Sequence, residues 1–485
     1  MYSQKPSTPL KKSTPEQQGV SSRGLLEFYK SCVASGYEFH HLSIAIHGYK
    51  IAQGSWVPYR AEFPHMSHSL TKMFTNTAVA MACDEGLISL DDKVISFFPD
   101  ELPEVVSDKL AAMTLRDVIQ MRSGHAHMIS GSKWRQIKTS WVVEYFKEPV
   151  EYWPGEYYNY TSAGSYMLSA IVQKVTGKSI DEYLKEKLFV HLGIEGLTWD
   201  KCPNGICSGG NGITVRNEDV LKMGVLYINN GVYEGKRYIS PEWCHDAMYE
   251  SCKLNESGYG YHFTNYDGAI SAGGLFGQTL VMIPEYDVVI ALNAAYQENN
   301  QDALDHRVLD LLKEHLYPAI SDSPLPEDPE GYKALEDYTA GLKISVPVGS
   351  VHSPKEDAFS GTYVFEDPTD NISSMTFEFH AEGCSVAITD HRGTHQIECG
   401  AGKWVYEYSS MTGNYLHHQY QPDSTLCGGY GYWEDPETYV MKWAWVYMTF
   451  IDTCVCKFAD GSMSFKRSVN VNTQDKERPL IYGKK

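Results

Sequence analysis

The chain contains no run of 18 apolar residues, so it offers no helix to span a bilayer and no membrane partner is expected. Its first twenty residues, MYSQKPSTPLKKSTPEQQGV, lack the apolar core of a signal peptide. From these two absences a cytoplasmic location is expected. Positive charge is also short, with 41 Lys and Arg against 61 Asp and Glu and a net charge of −20. A folded acidic surface repels phosphate backbones, so nucleic acid is not expected as a partner. The eleven cysteines are odd in number and scattered. The close pairs, Cys202/Cys207 and Cys454/Cys456, have neither zinc-finger nor redox spacing, so reduced, packed thiols are expected. Histidine pairs at 65/68, 125/127, 391/395 and 417/418 lack an evident third ligand, so neither a metal nor another cofactor is expected. No internal repeat is visible.

What is present is ordinary globular composition, 42% hydrophobic and 21% charged, over a length that suits two or three domains. Residues 1–18 read as a disordered lead-in. Residues 19–320 read as one α+β domain: a helix at Leu25–Cys32, an alternating strand at His41–His47, and a second strand from Ile51. Further helices are expected near 114–124 and over Ser165–Val175, the latter closed by Gly177. Thr279–Ile283 and Val288–Leu292 are two buried strands of a hairpin. Asp302–Leu316 reads as a helix that stops before Pro318. Residues 321–345, beginning SDSPLPEDPE, read as a linker that ends in a short helix. From 346 to 485, short Tyr-, Trp-, Thr- and Val-rich segments alternate with turn residues, the pattern of an all-β sandwich or barrel. Its many aromatic residues suit core packing, and Trp433 is also a candidate to overhang a substrate cleft.

The chemistry begins at Ser69-Leu70-Thr71-Lys72. Apolar residues at Leu70, Met73, Phe74, Ala78 and Met81 form a helical stripe that Gly86 ends, with Ser67 or Ser69 available as cap. Three residues apart on a helix, Ser69 and Lys72 share a face. The helix start favours developing negative charge, so a serine there beside an amine is placed to attack a carbonyl. Alone the pattern is cheap: about one or two matches arise by chance in such a chain. A second one, Ser130-Gly131-Ser132-Lys133, lies in a stretch without helical periodicity and reads as a loop. Two more segments carry weight. Tyr160-Thr161-Ser162 puts a phenol and a hydroxyl at the entrance of a helix. Ala272-Gly273-Gly274-Leu275, just before the hairpin, is a strand small enough for a ligand to approach its backbone.

With these three segments in order, Pro15 to Leu316 resembles the class C β-lactamase and penicillin-binding-protein-like serine hydrolases. That group also holds esterases, D-amino-acid peptidases and amidases such as nylon-oligomer hydrolases. The phrases PEQQGVSS, MTLRDVIQMRSG, WPGEYYNYTSAGSYML and GKRYISPEW match as well, and AGGLFGQTLVMIPEYDVVIAL is closest to the amidase and esterase branches. The resemblance implies a β-lactamase/transpeptidase-like antiparallel sheet flanked by helices, with a helical subdomain. It implies Ser69 as nucleophile, Lys72 and Tyr160 as the base pair, and an acyl-enzyme on a small ester or amide. Which of Lys72 and Tyr160 accepts the proton stays open. The oxyanion hole would be the Ser69 N–H with an N–H of the Gly274-Leu275 strand, Leu275 the first choice. Ser162, Ala272 and Gly273 would face the substrate.

Two departures bear on substrate. Relatives that act on β-lactams or cell-wall peptides carry a cation in Lys-Thr-Gly or His-x-Gly, where this chain has Ala272-Gly273-Gly274. Their Tyr-x-Asn is here Tyr160-x-Ser162. Both favour an esterase or amidase over a D-amino-acid peptidase or β-lactamase. A catalytically silent binding protein would instead turn Lys72 or Tyr160 away from Ser69.

Overall fold

The computed structural model describes residues 6–127, 129, 132–249, 252–254, 257–297, 305–366, 369, 371–413 and 415–485. It divides into two compact units. One holds the chain up to Ser55 together with Pro64–Leu342; the other holds Trp56–Phe63 together with Lys343–Lys485.

The first unit is built on an eight-stranded sheet. Its strands run in the order Tyr49–Ser55, Glu38–Ile46, Val288–Ala295, Gln278–Ile283, Ala269–Gly274, Thr264–Tyr266, Ser257–Tyr259, Cys252–Leu254. Every pairing is antiparallel. The two hairpin strands Gln278–Ile283 and Val288–Ala295 are buried at every position, which is why they read as continuous rather than alternating apolar runs. Helix Asn217–Ile228 packs against this centre, and Gly224 is the point of closest approach: an added Cβ would stand 2.3 Å from Val289. Helices lie along most of the chain from Thr71 to Tyr249. The first of them, Thr71–Asp84, has twelve of fourteen residues buried and so is a core helix rather than an amphipathic one. Thr114 and Asp117 close a capping box on the short helix Leu115–Ile119.

Residues 6–18 are not a disordered lead-in. Leu10 and Glu16 are buried, and Ser7 Oγ donates to Asp219 at 2.6 Å. The Glu16 carboxylate accepts from the Ser22 N–H and hydroxyl. Apolar periodicity is missing from this segment because its anchors are single side chains. The stretch 321–345 is likewise more than a linker. Helix Pro329–Ala340 packs on helix Ser22–Ala34, with Leu335 and Leu342 buried, and the first unit continues to Leu342.

The second unit is a nine-stranded β-barrel. Strands Gly361–Phe365 to Gly393–Ala401 and Thr425–Asp435 to Ile481–Lys484 form the ring, with Val405–Ser409 added outside it. Gly400 and Ala401 close the ring by parallel pairing with Tyr430 and Gly431. Gly429 makes the closure possible, since a Cβ there would lie 1.8 Å from the Glu398 carbonyl oxygen. Trp433 is no rim residue: it is 1% exposed and packs among Phe359, Phe379, Tyr439 and Phe458. The ten cysteines whose side chains are described are free thiols, nine of them buried. Among the described residues no helix is long and apolar enough to cross a membrane.

Candidate active site

Ser69 stands in a single 3-10 turn, His68–Leu70, that runs directly into helix Thr71–Asp84. Neither Ser67 nor Ser69 caps the helix with its side chain. The Ser69 hydroxyl is thereby left for other partners. His68, immediately before it, holds φ at +46°, a left-handed conformation that a non-glycine residue adopts only when its surroundings impose it.

Lys72 lies one turn further along, and its ammonium nitrogen is the hub of the site. Nζ is 3.0 Å from Ser69 Oγ, 2.9 Å from Ser162 Oγ and 2.6 Å from the Gly210 carbonyl oxygen. Three acceptors match the three N–H bonds of an ammonium group, and all three are neutral. The Tyr160 ring covers the same nitrogen, with its centre 4.7 Å away. Lys72 is 3% exposed, and burial pushes its ammonium down to about 7.

Ser162 reaches this position because helix Ser162–Thr176 begins on it. The preceding loop is tied to residues 121–129. The Asn159 N–H donates to the Met121 carbonyl at 2.8 Å, the Asn159 amide to the His125 carbonyl at 3.0 Å, and the Thr161 hydroxyl to the Ile129 carbonyl at 2.8 Å. Tyr160 is thus fixed by a bond on either side of it. His125, one of the paired histidines of the sequence, takes part through its backbone.

The glycine-rich strand behaves unevenly. Gly274 abuts the nucleophile turn: an added Cβ would stand 2.2 Å from the Ser67 carbonyl oxygen and 3.0 Å from the Ser69 N–H nitrogen. Only glycine fits that approach, and it brings the Gly274-Leu275 backbone alongside the Ser69 amide. Gly273 and Leu275 are half-buried. Ala272 was expected to face the substrate. It is instead 2% exposed and packs in the apolar core, opposite Leu280 in the sheet register. Strand alternation explains the difference, because its neighbours along the strand take the other face.

Two participants had no sequence signal that was read. Gly210 comes from the Ser208-Gly-Gly-Asn-Gly212 loop, where Gly209 and Gly210 let the backbone press against the start of helix Ser162–Thr176. A Cβ on Gly209 would stand 2.4 Å from the Ser165 carbonyl oxygen, and one on Gly210 would stand 2.6 Å from that of Ser162. His262 lies beneath Lys72. Its Nδ1 is 3.0 Å from the Lys72 carbonyl oxygen and its Nε2 is 3.1 Å from Ser165 Oγ. Burial first, and the Lys72 charge second, push His262 down to about 3, so the neutral ring donates to the carbonyl and accepts from the serine. Of the competing Ser-x-x-Lys, Ser130 and Gly131 lie outside the described residues, and Ser132–Arg135 forms a helical turn rather than a loop. Three of the paired histidines bond to other side chains: His65 to His40, His395 to Asp390, and His417 to Asp452.

Comparison with known proteins falls on this unit. Residues 42–207 match the family model described as Beta-lactamase. The 6-aminohexanoate-dimer hydrolase of Paenarthrobacter ureafaciens is 25% identical over 267 residues, 48% of this chain and 67% of that protein. A putative D-alanyl-D-alanine carboxypeptidase of Escherichia coli K12 is 26% identical over 137 residues, 26% of this chain and 31% of its own length. The chain thus spans two-thirds of the one relative and a third of the other. Among solved structures, a penicillin-binding protein homolog from Caulobacter crescentus superposes with a TM-score of 0.51 at 16% identity, covering 61% of this chain and 98% of its own. That likeness speaks to fold alone. Residues 42–207 thus carry the match to the β-lactamase/transpeptidase-like family of serine hydrolases.

Proposed function

We propose that this protein hydrolyses a small ester or amide through an acyl-enzyme on Ser69, with the neutral amine of Lys72 as the group that takes the serine proton. The observation that carries this reading is the 3.0 Å contact between Lys72 Nζ and Ser69 Oγ, made by a lysine that burial holds near 7. A lysine at its ordinary value near 10.4 would be almost wholly protonated at neutral pH and could accept nothing. Held near 7, it is a neutral base in about half of the molecules at pH 7. Ser69 Oγ attacks the carbonyl carbon as its proton passes to Nζ. The oxyanion forms beside the Ser69 N–H and, on the abutting strand, that of Leu275. The leaving group departs with a proton, and water then cleaves the acyl-serine by the reverse route. Tyr160, with its ring over Lys72, favours the charged form of the amine once the proton has arrived.

The amide-hydrolase relative supports an amide, and the lack of a cation in Ala272-Gly273-Gly274 favours substrates without an anchoring carboxylate. The carboxypeptidase relative keeps a D-amino-acid peptidase as the rival within the fold. A silent scaffold is disfavoured because Lys72 points at Ser69 rather than away from it. Fluorophosphonate labelling followed by peptide mapping tests the reading. An adduct on Ser69 that is lost in Ser69→Ala supports it, and a folded protein that takes no adduct contradicts it. Hydrolysis of p-nitrophenyl esters, D-aminoacyl anilides and nitrocefin then separates the enzyme classes.

A further inference from the structure

Lys72 is held from both sides. Side chains on a helix lean toward its N-terminus, while its carbonyls point toward the C-terminus. Lys72 Nζ is bonded to Ser162 Oγ at 2.9 Å, and the Lys72 carbonyl oxygen lies 3.0 Å from His262 Nδ1. The other ring nitrogen, Nε2, is 3.1 Å from Ser165 Oγ, one turn beyond Ser162 on helix Ser162–Thr176. The helices that carry Lys72 and Ser162 are thus tied through the amine and again through the imidazole. Helix Thr71–Asp84 does not need the second tie for its own sake. A helix carbonyl accepts from the N–H four residues on, and the ring uses the remaining lone pair of one such carbonyl.

His262 stands where a histidine is unfavourable. Its φ is +63°, in the left-handed region that glycine adopts most easily, and the residue is buried. The backbone before it is fixed. The Tyr261 N–H donates to the Ala247 carbonyl at 3.1 Å, and the Gly260 N–H donates to the Phe263 carbonyl at 2.9 Å. A side chain persists in such a conformation only when its surroundings impose it. Here both ring bonds end on the helices of the site. Among the described residues Lys72 is the charged group that acts on the ring, and burial keeps the ring neutral. No positive charge is therefore added beneath the amine.

We propose that His262 is a positioning residue for the Ser69 reaction: its imidazole fixes the Lys72 helix against the Ser162 helix and so keeps the amine within reach of Ser69 and shielded from water. This rests on the hydrolase reading above. The ring acts through Lys72 rather than on the substrate, since its bonds go to the Lys72 backbone and to Ser165. The separation it guards is short, 3.0 Å from Nζ to Ser69 Oγ, and a shift of about 1 Å there is enough to cost on the order of 100-fold in rate.

The test uses two substitutions that a left-handed backbone tolerates. His262→Gly removes both ring bonds and opens space beside Lys72. His262→Asn keeps a short donor for the Lys72 carbonyl and gives up the reach to Ser165. The readouts are the rate of fluorophosphonate labelling of Ser69 against pH, and kcat and KM on a p-nitrophenyl ester. In His262→Gly water reaches the amine and favours the ammonium, so the rising limb of the labelling profile should move alkaline by about one pH unit. The plateau rate and kcat should fall about 10- to 100-fold, with KM within about twofold of the wild type. His262→Asn is expected to recover most of that loss. A His262→Gly protein that melts lower but keeps the wild-type limb and plateau would make the ring a packing residue and overturn the proposal. So would a loss confined to KM. If His262→Gly does not fold, Ser165→Ala carries the test, because it keeps the ring and breaks one tie; a lower plateau supports the proposal, and an unchanged one overturns it. A wild-type Ser69 that takes no fluorophosphonate removes the hydrolase reading and this one together. A labelled wild type with an indifferent His262→Gly removes the positioning role alone.

Discussion

In the barrel, Asp452 is fully buried and its carboxylate accepts from Arg467, His417 and the Trp445 indole. In the first unit Lys72 is 3% exposed and meets two hydroxyls, a carbonyl and a ring face. Burial pushes both groups toward their neutral forms. For Asp452, the Arg467 charge, with the His417 and Trp445 hydrogen bonds, overcomes burial and holds it below the usual carboxylate range. For Lys72 no charged partner among the described residues opposes burial, and the amine falls to about 7. A buried charge with a charged partner is locked in one protonation state. The same burial without one leaves a group that titrates where chemistry at neutral pH needs it.

The comparison breaks most visibly at Lys72. Lys72→Met keeps the volume and removes the amine, and kcat/KM on a p-nitrophenyl ester should fall about 1,000- to 10,000-fold. The melting temperature should not fall with it, because an uncompensated buried cation has been taken out. The barrel should respond the other way. Asp452→Ala strands the Arg467 guanidinium and should cost about 3–5 kcal/mol in chemical denaturation. Replacing both partners, Asp452→Leu with Arg467→Met, should cost much less, since nothing charged is then left behind. The smallest effect sharpens the contrast instead. Ser162→Asp gives Lys72 the kind of partner that Asp452 already has. An opposite charge favours the ammonium, so the rising limb of the p-nitrophenyl ester pH profile should move alkaline by about one to three pH units.

Sequence and structure meet where local pattern carries the information. Ser69 and Lys72 meet one turn apart, the Gln278–Ile283 and Val288–Ala295 hairpin is buried throughout, and Gly177 ends its helix with φ at +70°. They part where a contact spans long stretches of chain. The Gly210 carbonyl reaches Lys72 across 138 residues, and a Ser-Gly-Gly-Asn-Gly run reads only as a turn until helix Ser162–Thr176 is placed against it. Barrel and sandwich could not be told apart because closure depends on Gly400 meeting Tyr430, a pairing no alternation pattern contains. Ala272 looked like a substrate-facing position because it shares a triplet with two glycines. The register that turns its side chain into the core is set by Leu280, on the next strand.

The account stands on a buried lysine, with no charged partner among the described residues, that activates one serine. It is tested most directly by the rate of fluorophosphonate labelling of Ser69 as a function of pH, followed by intact mass and peptide mapping. The predicted result is a single adduct on Ser69 whose rate rises as one proton is lost near pH 7 and is level above it. A rate that stays low through pH 9 and rises only toward the ordinary lysine value near 10.4 would contradict it, as would an adduct that forms anywhere but on Ser69.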